Sequence, residues 1–176
     1  RSYCPRHMED EYATLSWDPE GKAMIGKWLN GAFRFEIDYW EYKLIIRKDE
    51  EVIATYPLAG KSTLEILEEM KPCLKDQGFD MRKLNTDYPY KDLPEEVADQ
   101  NRKFSPLDLE TIKAFTSWND QAHAILKAFT QVHDNVSEIR CWPHHFDLAI
   151  LMTVNKEKSK TIGIGYVPAD GHYDIP

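Results

Sequence analysis

The sequence predicts an α+β fold, an antiparallel-rich β-sheet with two main helices packed on one face, and three observations carry that expectation. Phe33, Phe35 and Ile37 alternate with Arg34, Glu36 and Asp38, the period-two pattern of a strand with one wet face. Ser62-Thr-Leu-Glu65 forms a capping box ahead of apolar residues at helical spacing, and Ser105-Pro106 opens a second, longer helical stretch. Strand patterns resume after that second stretch, so strands and helices come in blocks rather than in strict alternation.

Taken in chain order, residues 1–20 read as a polar, irregular lead-in broken by Pro5 and Pro19, with one short strand near Tyr12–Trp17. Asn30-Gly31 is a favoured two-residue hairpin turn and joins a strand over Met24–Leu29 to the alternating strand. Lys43–Arg47 and Val52–Tyr56 follow as strands across the charged turn Lys48–Glu51, giving a meander. The first helix turns Leu64, Leu67, Met70 and Leu74 inward and ends at Gly78, with Pro72 as a kink site. Phe79–Leu84 reads as a strand, and Tyr88–Lys103 as a connection without periodicity. The second helix starts at Ser105-Pro106 with a stripe of Ile112, Phe115, Ala122, Ile125, Leu126, Phe129 and Val132. His133 follows that seam, and His123 sits near its polar edge. Glu138–Trp142, Asp147–Val154 and Thr161–Val167 are the closing strands, around a polar turn at Asn155–Lys160. Phe33, Phe35, Ile37, Phe115, Phe129, Leu148 and Ile150 should share one core.

The 176 residues suit one domain, 1–176, with a core of ordinary size. A net charge of −8 with scattered cations excludes the basic patch that nucleic-acid binding needs. The longest apolar run, Leu148–Met152, is too short to span a membrane, and no signal peptide opens the chain, although its start at Arg1 leaves room for a missing native N-terminus. Cys4, Cys73 and Cys141 are sparse and odd in number, without a C-x-x-C pair, which points to a reducing cytoplasm and away from a zinc knuckle.

Three stretches carry a family resemblance: Phe33–Asp38 with Leu44–Arg47, Tyr56-Pro-Leu58, and Trp142-Pro-His-His-Phe-Asp-Leu-Ala149. Over roughly residues 33 to 167 the chain resembles a bacterial family of uncharacterised proteins with a Phe-Asp-Leu-Ala strand motif. The resemblance implies a strand hairpin, a helix and a long second helix, and it transfers no catalytic residue. That family tends to carry glycine or serine at the positions of His144 and His145, which would confine a site built there to a subgroup. It also continues beyond the equivalent of Pro176, implying a further segment that completes a sheet edge or pocket.

The densest chemistry is His145-Phe-Asp147 and His172-Tyr-Asp174, two H-x-D units. Residues two apart on a strand share a face, so each unit presents imidazole and carboxylate together. With Val154 paired to Thr161, Asp147 falls opposite Pro168 and His145 opposite Asp170, and His172 joins them. His145, Asp147, Asp170, His172 and Asp174, with His144 as a further candidate, then suit a divalent transition metal or an acid–base pair. The bland alternative is a structural His–Asp hydrogen bond. Cys141 near His144 is a weaker nucleophile candidate, since a lone cysteine is usually a small buried hydrophobe. Tyr39–Tyr42 and Tyr88-Pro-Tyr90 put aromatics into loops, where they line a ligand cleft or edge a core. Gly163-Ile-Gly165 lies in a strand and is no phosphate loop.

Two functions compete. One is a non-catalytic module that binds a small ligand or a protein partner through its sheet or aromatic loops. The other is a metal-assisted, hydrolase-like enzyme in which His145, Asp147 and His172 hold the metal and Asp170 or Asp174 is the base. The absence of any strong catalytic motif puts the binding module first.

Overall fold

A computed structural model of the chain describes residues 13–84, 99–142, 146–155 and 160–167. Five strands, β1 (Ser16–Asp18), β2 (Ala23–Ile25), β3 (Phe33–Asp38), β4 (Lys43–Lys48) and β5 (Glu51–Pro57), form an antiparallel meander in sequence order. Helix α1 (Thr63–Asp76) follows, then helix α2 (Leu109–Val132). Strands β6 (Arg140–Trp142), β7 (Asp147–Thr153) and β8 (Thr161–Tyr166) make a second antiparallel sheet. No helix among the described residues is long and apolar enough to cross a membrane.

Local chemistry explains the turns and helix ends. Asn30 and Gly31 both take left-handed φ, 52° and 74°, and Ala32 donates to the Leu29 carbonyl at 3.1 Å, closing the tight turn that the dipeptide announces. At the start of α1, Ser62 Oγ accepts from Glu65 N–H at 3.2 Å, and the Glu65 carboxylate accepts from Ser62 N–H at 2.7 Å. At its end, Gly78 with φ 84° donates to Lys75, and Phe79 donates to Leu74, the pair of bonds of a Schellman stop. The helix runs through Pro72 to that stop.

Several boundaries differ from expectation: β1, β2 and β6 are short, β2 ending at Ile25 rather than Leu29 and β6 starting at Arg140 rather than Glu138, and two differences change an element itself. Phe79–Leu84 is no strand: Asp80 caps a single 3₁₀ turn, Met81–Lys83, by accepting from Arg82 N–H, and Phe79 packs edge-on against Phe33 at 4.9 Å. Helix α2 begins at Leu109 rather than at Ser105-Pro106. Asp108 is the cap, accepting from Thr111 N–H at 2.7 Å and from its hydroxyl at 2.9 Å, and this two-point cap outcompetes the serine three residues earlier.

Among the described residues, the two sheets are stitched by the pair Leu15 and Cys141. Leu15 and Cys141 exchange both backbone hydrogen bonds, at 2.9 and 2.7 Å. Cross-strand partners share a face, so a single face runs from Tyr56 through Leu44, Ile37, Met24 and Trp17, then by Leu15 and Cys141 to Leu148 and Tyr166. Both helices lie on that face. Ile66, Met70 and Leu74 of α1 cover Phe33 and Ile46, while Ala122 and Leu126 of α2 cover Trp17, Met24, Cys141, Leu148 and Ile150. The seven residues expected in one core therefore divide between two clusters, Phe33, Phe35 and Ile37 under α1, and Phe115 and Phe129 of α2 with Leu148 and Ile150 beneath them. The α2 stripe is also narrower than expected: Ile125 is 70% and Val132 73% exposed.

Candidate functional site

Of the residues expected to form a metal or acid–base site, His144, His145, Asp170, His172 and Asp174 lie outside the described residues. Asp147 opens β7 opposite Trp142, and its Oδ1 is buried without a hydrogen bond among the described residues. Among the described residues no three His, Cys, Asp or Glu side chains converge to hold a metal.

The strand register behind that expected cluster is corrected by one residue. Thr153, not Val154, pairs with Thr161, and Leu148 pairs with Tyr166. The reason is steric. The adopted register sets Gly165 opposite Ala149 and Ile164 opposite Ile150. A β-carbon on Gly165 would lie 2.5 Å from Ala149 Cβ and 2.7 Å from the Leu148 carbonyl oxygen. Only glycine fits there, and the alternative register would bring Tyr166 against Ala149. Asn155 Oδ1 then accepts from Lys160 N–H at 3.1 Å and holds the ends of the turn together.

Cys141 is fully buried, and burial, helped by the charge of Asp147, pushes its thiol up to about 12. It stays a protonated thiol at neutral pH, which suits a core residue and not a nucleophile. His133 does not pack into the seam: it caps the end of α2, exposed, with its ring 4.2 Å from that of Phe129. His123 lines a broad groove of about 610 Å³ with Ser16, Lys127, His133 and Glu138. Burial, and the Lys127 charge after it, hold the His123 imidazole below its ordinary value. That groove is wide and mixed in charge, so it selects no ligand class.

A second cavity does select one. Near the start of α2, a cleft of about 340 Å³ is lined by Thr111, Ala114, Phe115, Trp118, Asn119, Phe146 and Tyr166, with no charged residue among them. The helical period places Thr111, Phe115, Trp118 and Asn119 along one flank of α2, and β7–β8 supplies the opposite wall. The Trp118 and Tyr166 rings stand 5.4 Å apart at 44°. Phe115 is fixed from behind by Tyr39 at 4.4 Å and by Trp17 at 6.1 Å, edge-on. Trp17 is in turn anchored by its indole N–H to Asp120 at 3.0 Å, and Asp120 holds Lys22. Tyr39, of the aromatic loop run, thus belongs to this support, and burial raises its phenol well above the ordinary range. Tyr88 and Tyr90 lie outside the described residues.

Two further details mark the cleft. Asn119 is buried and donates one N–H to the Phe115 carbonyl at 2.9 Å, with no other hydrogen bond among the described residues. Phe146 has φ 56°, a left-handed conformation that costs a bulky residue on the order of 1–3 kcal/mol. The strain holds an aromatic ring at the cleft wall. Sequence reasoning passed over Trp118, Asn119 and Tyr166. Their only sequence signal is a tryptophan and an asparagine at adjacent positions on the edge of the apolar stripe.

Against protein-family models, curated proteins and solved structures, the chain shows no match.

Proposed function

We propose that this chain is a binding module for a small, flat, uncharged ligand, a heteroaromatic ring with hydrogen-bonding groups at its edge, held in the cleft between α2 and β8. The observation that carries this reading is the set of four aromatic side chains around one buried carboxamide. Aromatic walls favour a planar molecule by stacking or edge contact. The described lining residues carry no charge, which favours a neutral one, because a buried ion without a partner is expensive. The free N–H and carbonyl of Asn119 supply a donor and an acceptor to fix orientation. The volume is at the lower end of the range for ligand pockets and suits a single ring system.

Ligand-observed NMR with a panel of planar heteroaromatic fragments tests this. Neutral bicyclic or monocyclic heteroaromatics should bind, and aliphatic or charged fragments of equal size should not. Phe146→Gly removes one wall while relieving its left-handed backbone, so it should weaken the hits at least about tenfold and leave the fold intact. An absence of hits, or hits unchanged in Phe146→Gly, would refute the reading.

A further inference from the structure

The exposed side of α2 has a pattern that extends well beyond the cleft. Trp118, Ile125 and Val132 recur every seven residues and are 57%, 70% and 73% exposed. Ala114, Gln121 and Ala128 run beside them at the same interval, and all three are exposed. Side chains seven apart stack on one line of a helix, so these are two adjacent rows, one large and one small. Between Ala114 and Val132 the only exposed charged residue is Lys127, which turns to the groove shared with His123. In a chain that is 30% charged, an uncharged face over most of a 24-residue helix is a marked departure.

We propose that this face pairs with a second copy of the same chain, helix against helix and antiparallel. The two rows are self-complementary. A two-fold axis at the level of residue 123 sets Trp118 of one copy over Ala128 of the other, Val132 over Ala114, and Ile125 beside Gln121. Every large residue meets a small or flexible one, twice, as an isologous interface requires. A parallel pairing would set large against large and leave the small row facing gaps. Charge agrees: two chains of net charge −8 meet with little local repulsion across a face that carries no charge of its own. Ala124, exposed beside the rows, lets the backbones approach near the axis. The face is about 27 Å long and one helix wide, less than the ~800 Å² per partner typical of stable complexes, so the pairing is reversible and in the micromolar range or weaker. It does not rest on the cleft ligand, although Ala114 and Trp118 belong to both surfaces.

Sedimentation velocity of the full chain in reducing buffer, from micromolar to millimolar protein, reads the association directly. The average mass should rise from one chain toward two. Ile125→Glu puts two carboxylates near the axis and should raise the dissociation constant more than about tenfold, while the far-ultraviolet melt stays unchanged, because Ile125 is a solvent-facing residue. Lys127→Glu, off the face, should leave association as it was. Mixing Ile125→Glu with Gln121→Lys should restore a heterodimer, since the antiparallel register sets those two positions opposite each other. A wild-type chain that stays monomeric throughout, an Ile125→Glu chain that associates as the wild type does, or a mixture without heterodimer would overturn the proposal.

Discussion

Replacing Glu36 by alanine tests how the outer face of the sheet is held together. Glu36 is buried, with 5% of its side chain exposed, and sits between two arginines. Arg34 Nε donates to Oε1 at 2.7 Å and Arg47 Nε to Oε2 at 2.8 Å. Arg34 and Arg47 are direct cross-strand partners on β3 and β4. Without the carboxylate, Arg34 keeps only its longer contact with the exposed Glu50 at 3.4 Å and Arg47 its bond to the Glu50 carbonyl, and two guanidinium charges face each other at about 6 Å, a repulsion of up to about 3 kcal/mol at an effective dielectric near 20. Breaking a fully buried ionic cluster costs about 3–5 kcal/mol, but the arginine side chains are 17% and 28% exposed, which lets water recover part of it. The expected loss is therefore about 2–4 kcal/mol. Urea unfolding at low salt and at high salt measures it. The deficit should shrink with salt as the repulsion is screened, and Arg47→Met in the Glu36→Ala background should return part of the stability. A loss below about 0.5 kcal/mol, or one indifferent to salt, would show that the arginines find water without rearrangement and that the carboxylate is not what holds them.

Three other outcomes follow from the same geometry. Gly165→Ala should cost about 2–3 kcal/mol through its clash with Ala149 and the Leu148 carbonyl, whereas Gly163→Ala, whose nearest neighbour would be Leu151 Cδ2 at 3.9 Å, should be close to neutral in the same melts. His123 has its folded pKa below its ordinary 6.5, so the unfolded chain takes up the proton first: stability should be full above that value and fall as pH drops below it, and His123→Gln should flatten the slope between pH 7 and 5. Peptide mapping after treatment of the native protein with a thiol reagent should find Cys141 unmodified until the protein unfolds, because it is buried and its thiol is held protonated; half-buried Cys73 should react earlier.

Local chemistry in the sequence determined much of the secondary structure. The alternation of Phe33–Asp38, the Asn30-Gly31 turn, the Ser62–Glu65 box and the Gly78 stop each involve residues within a few positions of one another, and each appears where the pattern put it. Tertiary packing decided the rest. The apolar period of α2 marks an arc of the helix but does not say which edge meets the sheet, and the sheet took Ile112, Ala122 and Leu126 while leaving Ile125 and Val132 in solvent. The β7–β8 register turned on a backbone clearance at Gly165 that no periodicity encodes. The cleft draws Phe115 and Trp118 from α2 and Phe146 and Tyr166 from the β7–β8 hairpin, with Tyr39 behind; Tyr39 and Phe115, like Trp118 and Tyr166, are far apart in the chain, and only long-range packing brings their rings together.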